Sequence, residues 1–302
     1  MSNITDDLYT IRDWLRWAVS HFNKAGLFFG HGCDNAWDEA VWLVLHTLHL
    51  PPAKLEPFLD ARLTHQERKA VLNLLQTRIE KRIPAAYLTH EAWLGDYRFY
   101  VDERVIVPRS YFAELLREEL SPWVTDAQAI ESALDLCTGS GCLAILMADT
   151  FPNAAIDAVD ISSDALEVAR RNLTDYGLED FVELIQSDVF DALEGRRYDL
   201  IVSNPPYVTE SAMAEIPAEY RHEPALALVS GPEGLDVVQR ILMGAANHLT
   251  DHGQLFVEVG HNADLVEAAW PDVPFLWVDA PSGDSKIFCL SRADLLAHFP
   301  NA

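Results

Sequence analysis

The chain has 302 residues, 49% of them hydrophobic, enough for a sizeable core and one or two domains. Its formal net charge is −25, with 22 Lys and Arg against 47 Asp and Glu, and no dense basic run interrupts the acidity. Such a surface repels duplex DNA or structured RNA, whose binding rests on phosphate contacts, and it suits a basic protein partner as well as solubility.

The four cysteines, Cys33, Cys137, Cys142 and Cys289, form no CxxC pair, and no histidine cluster completes a zinc pattern. His31, Cys33 and Asp34 lack the spacing of a known ligand frame. No metal is expected, and the thiols are read as reduced. The first residues, Met1 to Asp7, are acidic and carry no basic n-region, and no apolar run approaches the ~20 residues of a membrane span. The expectation is a cytoplasmic protein with no membrane partner.

The first third reads as helical. Ile11, Leu15, Val19 and Phe22 recur at helical spacing, with Trp14 and Trp17 on neighbouring faces. Asn35 caps a second helix through Trp37, Val41, Leu43 and Leu45, closed by Pro51-Pro52. Thr64 to Glu67 has the capping-box pattern and opens a third helix, continued by Leu72, Leu75 and Ile79. Pro84 ends the bundle, so residues 1–85 are expected to form a helical domain that reads the substrate. Residues 86–108 change character. Trp93, Tyr97, Phe99, Tyr100, Val101, Val105 and Val107 are aromatic or β-branched, and Asp102-Glu103 lies between two such runs, which predicts a linking β-hairpin. Pro108-Arg109-Ser110 then leads into a helix around residues 112–120.

From residue 131, short apolar strands at 132–136, 155–159, 181–185, 198–203 and 254–259 alternate with helical segments at 142–150, 163–174, 232–249 and 262–269. That is the βαβ rhythm of a doubly wound, mostly parallel α/β sheet and makes residues 109–302 the second domain. Segments 275–279 and 286–290 are read as an antiparallel edge pair.

Two constellations fall at the carboxyl ends of these strands, where ligands bind in such sheets. The first is strand, glycine loop, helix: Asp135-Leu136-Cys137-Thr138-Gly139-Ser140-Gly141-Cys142. Gly139 and Gly141 permit positive φ and close approach of a ligand, and the helix start offers N–H groups to a polar group. Asp160 ends the next strand and can accept from a ribose diol; Asp188 ends the third and can accept from an adenine amino group. Asp135 is read as facing the ligand, with capping of the loop amides as its alternative. Taken alone, the loop does not separate NAD from S-adenosylmethionine.

The second is Asn204-Pro205-Pro206-Tyr207, which cuts off the strand 198–203. Neither proline has an N–H, so the chain must leave the sheet with a fixed shape. The Asn204 oxygen and the Pro205 carbonyl can accept both hydrogens of an –NH2 group, and Tyr207 can stack on its plane. The chemistry this suggests is methyl transfer to a planar nitrogen; amide and adenine both satisfy it.

These stretches, with Ile83 to Leu88, Phe99 to Asp102, Val107-Pro108-Arg109 and Glu223 to Leu228, resemble the HemK-like protein-(glutamine N5) methyltransferases over nearly the whole chain. The resemblance implies a Rossmann-like S-adenosylmethionine-dependent methyltransferase with an N-terminal helical domain and a linking hairpin. It also implies methylation of a glutamine in a translation protein, with S-adenosylhomocysteine as product. The release-factor branch usually reads Pro-Arg-Pro-Glu-Thr-Glu where this chain has Pro108-Arg109-Ser110-Tyr111-Phe112-Ala113, and commonly has Gly at the position of Cys137. The stretch Gly30 to Ala40 is similar to the branch that methylates the third large-subunit ribosomal protein, a basic substrate. By matching position, Asp135, Cys137, Thr138, Gly139, Ser140, Gly141, Asp160, Asp188 and Asn204 would bind the cofactor. Asn204, Pro205, Pro206 and Tyr207 would hold the glutamine, with Asn204, Pro205 and Tyr207 catalytic, while Arg109 and Glu223 would line the cleft or bridge to each other. Val189 stands where the family often has an aromatic for adenine. Release-factor methylation, N6-adenine methylation and a non-catalytic ribosome-assembly role are the alternatives. The net charge opposes direct nucleic-acid binding, and the intact Asn204, Gly139 and Gly141 oppose loss of catalysis.

Overall fold

Thr10 accepts from the Asp13 N–H while the Asp13 carboxylate accepts from the Thr10 N–H, a reciprocal cap that opens α1 (Ile11–Ala25). The computed structural model describes residues 4–51, 54–281, 283 and 286–300. The Asn35 side chain caps α2 (Ala36–Thr47), and the expected Thr64–Glu67 capping box opens α3 (His65–Lys81). Pro52, expected to help close α2, lies outside the described residues. Trp14, Leu15, Phe22, Leu43, Val44, Val71 and Leu75 are fully buried at the centre of this helical unit. Pro84 does not end the helices. It stands at the N-cap of α4 (Ala85–Thr89), where its missing N–H costs nothing, so residues 85–89 are helix rather than the start of the hairpin segment.

The chain forms two compact units: Met1–Ala92 with Pro217–His222, and Trp93–Ile216 with Glu223–Ala302. Inside the first, Arg78 is 1% exposed and donates to Glu39 at 2.7 Å and to Glu219 at 3.1 Å. Glu219 belongs to the short excursion Pro217–His222, so a buried ion cluster holds that segment among the helices.

The hairpin is β1 (Ala92–Leu94) and β2 (Tyr97–Phe99), turning at Gly95 with φ 59°. The expected turn at Asp102-Glu103 is therefore misplaced. Asp102 instead accepts from the backbone N–H and, twice, from the guanidinium of Arg104, and these hydrogen bonds hold its carboxyl down to about 2 against the effect of burial. The β-branched run Val101, Val105 and Val107 is buried as irregular chain.

After α5 (Phe112–Arg117) come β3 (Ser132–Leu136), α6 (Cys142–Thr150), β4 (Ala155–Asp160), α7 (Ser163–Tyr176), β5 (Val182–Gln186) and β6 (Tyr198–Ser203). Then follow α8 (Asp236–His248), β7 (Leu249–Glu258), α9 (Ala263–Ala269), β8 (Leu276–Val278), β9 (Ile287–Ser291) and α10 (Arg292–His298). The seven-stranded sheet has the order β5-β4-β3-β6-β7-β9-β8. The first five are parallel, and β9 runs antiparallel to both β7 and β8, giving the expected antiparallel edge. Winding reverses between β3 and β6, which leaves a crevice at their carboxyl ends. Among the described residues no helix is long and apolar enough to cross a membrane.

Candidate active site

The crevice begins at the loop after β3. Cys137, Gly139 and Gly141 all take positive φ, at 63°, 55° and 79°. The two glycines serve different needs. A Cβ on Gly141 would meet the Ala169 Cβ at 3.1 Å, so that glycine lets α6 pack on α7. A Cβ on Gly139 would meet nothing within 4 Å, and Gly139 faces open space. Asp160, at the end of β4, accepts from the Gly139 N–H and from the Ser162 N–H, both at 2.9 Å. It thereby sets the loop against its own strand, and burial raises its pKa.

Asp135 does not line the cavity, and its contacts are those of the alternative reading, a cap on the loop. It is completely buried and accepts from Thr138 Oγ1 at 2.6 Å and from the Ala144 N–H at 3.0 Å, tying loop to helix. Burial pushes its carboxyl up to about 7. Thr138 and Ser140 are also buried, and the Ser140 carbonyl accepts from Asn172.

A cavity of 270 Å³ opens in the crevice. Of the residues singled out in the sequence, Cys137, Gly139, Asp160, Asp188, Asn204 and Pro206 line it. Asp135, Thr138, Ser140, Gly141, Arg109, Pro205, Tyr207 and Glu223 do not. Asp188 is engaged by Arg240 on α8, Nη1 to Oδ1 at 2.6 Å, and Arg240 also lines the cavity. Val189 follows at φ 54°, a left-handed conformation unusual for a β-branched residue, and completes the wall there.

The Ser203 hydroxyl at the end of β6 donates to the Leu136 carbonyl at 2.8 Å and pins the strand where the prolines begin. Asn204 Nδ2 donates to the Arg109 carbonyl at 3.4 Å. Beyond the prolines, the chain is gripped by the returning segment, with Val208 N–H on the Leu228 carbonyl and Ser230 N–H on the Val208 carbonyl. Tyr207 is held from several sides. Its carbonyl accepts from Asn262 at 2.6 Å, its ring meets His261 edge-on at 6.1 Å, and a Cβ on Gly260 would stand 2.7 Å from that ring. Arg109 and Glu223 do not line the cavity but hold each other. Glu223 is buried and receives both guanidinium Nη atoms at 2.6 and 2.7 Å.

Sequence reasoning missed Arg104, Ser162, Leu226 and Arg240 in the cavity wall. Leu226 sits in a motif already noticed, but Arg240 comes from an amphipathic helix where one cation on a solvent face carries no signal. Among the described residues no group of three metal-ligating side chains occurs.

A glycine loop braced by the acid of the neighbouring strand is common to many nucleotide-binding sheets. The Asn-Pro-Pro-Tyr turn on the adjoining strand sets this one apart and makes it a Rossmann-like methyltransferase. Residues 114–223 match the Methyltransferase small domain family. The fold resembles that of the hMettl16 catalytic domain in complex with MAT2A 3′UTR hairpin 6, with a TM-score of 0.50 and 14% identity over 74% of this chain and 80% of that one. The ribosomal protein uL3 glutamine methyltransferase of Neisseria gonorrhoeae is 58% identical over 96% of this chain and 97% of its own. That of Bordetella pertussis is 56% identical over 97% and 99%. The chain belongs to the family of ribosomal protein uL3 glutamine methyltransferases.

Proposed function

We propose that the protein transfers the methyl group of S-adenosylmethionine to the side-chain nitrogen of a glutamine in ribosomal protein uL3. Identity above one half to relatives of that name, across nearly the full length of both chains, supports the substrate. The observation that carries the chemistry is Asn204: its amide lines the same cavity as the glycine loop, with its nitrogen engaged and its oxygen left as an acceptor.

The residues fit S-adenosylmethionine. The open side of Gly139 admits a ligand against the backbone, and the acids Asp160 and Asp188 stand at successive strand ends in the wall. Asp160 would take the ribose and Asp188 the adenine amino group. Bound there, the cofactor supplies a methyl group on a positively charged sulfur. Every other requirement falls on the protein. An amide nitrogen is a poor nucleophile because its lone pair is delocalised. Asn204 Oδ1 and the Pro205 carbonyl would accept its two hydrogens, and these bonds strengthen as positive charge grows on nitrogen, so they favour the transition state. Tyr207, fixed by Asn262 and Gly260, would set the face of the amide. The proton then leaves to solvent, and no strong base is needed.

The helical unit is assigned to reading the ribosomal protein, and the acidic chain suits that basic partner. We read the protein as cytoplasmic, in keeping with such a substrate, and the net charge opposes direct nucleic-acid binding. The test is incubation with labelled S-adenosylmethionine and, separately, unmodified uL3, release factors and duplex DNA. Label is expected in uL3 alone. Label only in release factors would overturn the substrate, and no label together with no cofactor heat in calorimetry would overturn the activity.

A further inference from the structure

Two buried carboxylates outside the cavity flank one peptide group. Glu258 ends β7 at the same sheet edge as Asn204 and is 2% exposed. Its Oε2 accepts from Ser110 Oγ at 2.5 Å and from the Tyr111 N–H at 3.1 Å. On the other side, Glu223 accepts from the Val107 N–H at 2.9 Å and from the Arg109 guanidinium. Residues 100–110 lie in no helix or strand, so no ladder fixes them. The two acids hold the part around residues 107 to 111, and the peptide they bracket carries the carbonyl that accepts from Asn204 Nδ2.

The orientation of that amide matters for methyl transfer. An asparagine side chain turned by half a rotation exchanges its oxygen for its nitrogen. With nitrogen toward the substrate, two N–H groups would face each other and the acceptor would be lost. A stationary acceptor for Nδ2 selects the productive turn, and the Arg109 carbonyl is stationary only if its flanking residues are. Buried carboxylates are costly to maintain, and these two line no part of the cavity.

We infer that Ser110 and Glu258 are positioning residues of the methyl-transfer site, holding the Arg109 carbonyl so that Asn204 presents Oδ1 to the substrate amide. The inference rests on the proposed function, in which Asn204 accepts from a glutamine. Ser110 Oγ also accepts from the Phe112 N–H at the start of α5, so a role confined to that helix is the competing explanation.

The test uses the full-length protein with uL3 and S-adenosylmethionine, and wild-type activity is measured first, so failure of the function itself appears separately. In Ser110→Ala, kcat is expected to fall about 10-fold or more, while KM for uL3 and calorimetric cofactor affinity stay within about 3-fold. Ser110→Thr, which keeps a hydroxyl, restores turnover. Introduced into Asn204→Ala, Ser110→Ala adds no further loss, because both act through one side chain. Unchanged kcat, a loss that multiplies with that of Asn204→Ala, or a parallel loss of cofactor affinity would overturn the inference. Should Ser110→Ala fail to fold, Glu258→Gln takes its place with the same expected and overturning outcomes.

Discussion

Cys137 stands in the left-handed region at the mouth of the cavity. Such a conformation costs an ordinary residue roughly 1–2 kcal/mol and glycine almost nothing. In regular structure alanine is the more stabilising of the two by about 0.5–1 kcal/mol. At residue 137 the order reverses: Cys137→Gly is expected to be more stable than Cys137→Ala by about 1 kcal/mol in urea unfolding. Alanine equal to or better than glycine would contradict that backbone geometry. Asn204→Ala should leave cofactor affinity within a few-fold and lower turnover by ~10²-fold or more, as for loss of an acceptor that tightens in the transition state. Unchanged turnover would refute the role given to Asn204. Burial disfavours the charge of Asp135 and pushes its carboxyl up to about 7 from its ordinary value of 3.8. A raised carboxyl pKa means that the native state binds the proton more tightly than the unfolded one. The resulting stability is fully present below about pH 4 and is lost as pH rises toward 7. Asp135→Asn should flatten the pH dependence of unfolding free energy across that range. Glu258, also raised to about 7 by burial, leaves a residual slope of the same sign.

At the scale of elements, the most buried cation of the helical unit is Arg78. Arg78 serves Glu39, Glu219 and the Phe28 carbonyl at once, and the two carboxylates are nearly inaccessible to water. Removing it leaves Glu39 buried with no counter-charge and Glu219 with Arg82 alone. Arg78→Met is expected to destabilise this unit by about 3–5 kcal/mol, seen in denaturant unfolding, and to speed amide exchange in Pro217–His222. Exchange at the wild-type rate would mean that the ion cluster does not hold that segment. Nothing in the sequence separates Arg78 from the other cations of its helix, because its partners lie 39 and 141 residues away. Local signals fared better. The caps at Asn35 and Thr64 and the first four strands of the parallel sheet sit within a residue of where their patterns placed them, because capping and apolar runs are decided by near neighbours, whereas β7 starts at Leu249, five residues before the expected 254. The hairpin turn was misread because Val101, Val105 and Val107 look like strand yet are buried without ladder partners.

For the molecule as a whole, a net charge of −25 is expected to speed the encounter with the basic ribosomal protein proposed as substrate. Association should slow steeply as salt rises across a range where the Debye length shrinks to about 8 Å, whereas cofactor affinity, decided inside the cavity, should change little. Stopped-flow association with uL3 and calorimetry with S-adenosylmethionine at matched ionic strengths measure the two. Equal salt dependence would show that the surface charge plays no part in partner capture.

The order of strands and helices, the glycine loop and the proline turn were written in the sequence, because each depends on periodicity or on residues with restricted backbones. The family too was legible there, since its motifs occur in order along the chain. The roles of individual carboxylates were legible only in part. Asp135, Asp160, Asp188, Glu223 and Glu258 are alike as letters, yet one ties a loop to a helix, two stand in the cavity wall, and two fix a stretch of irregular chain. Burial and the position of the nearest donor decide among those roles, and both arise only when segments far apart in sequence are packed together.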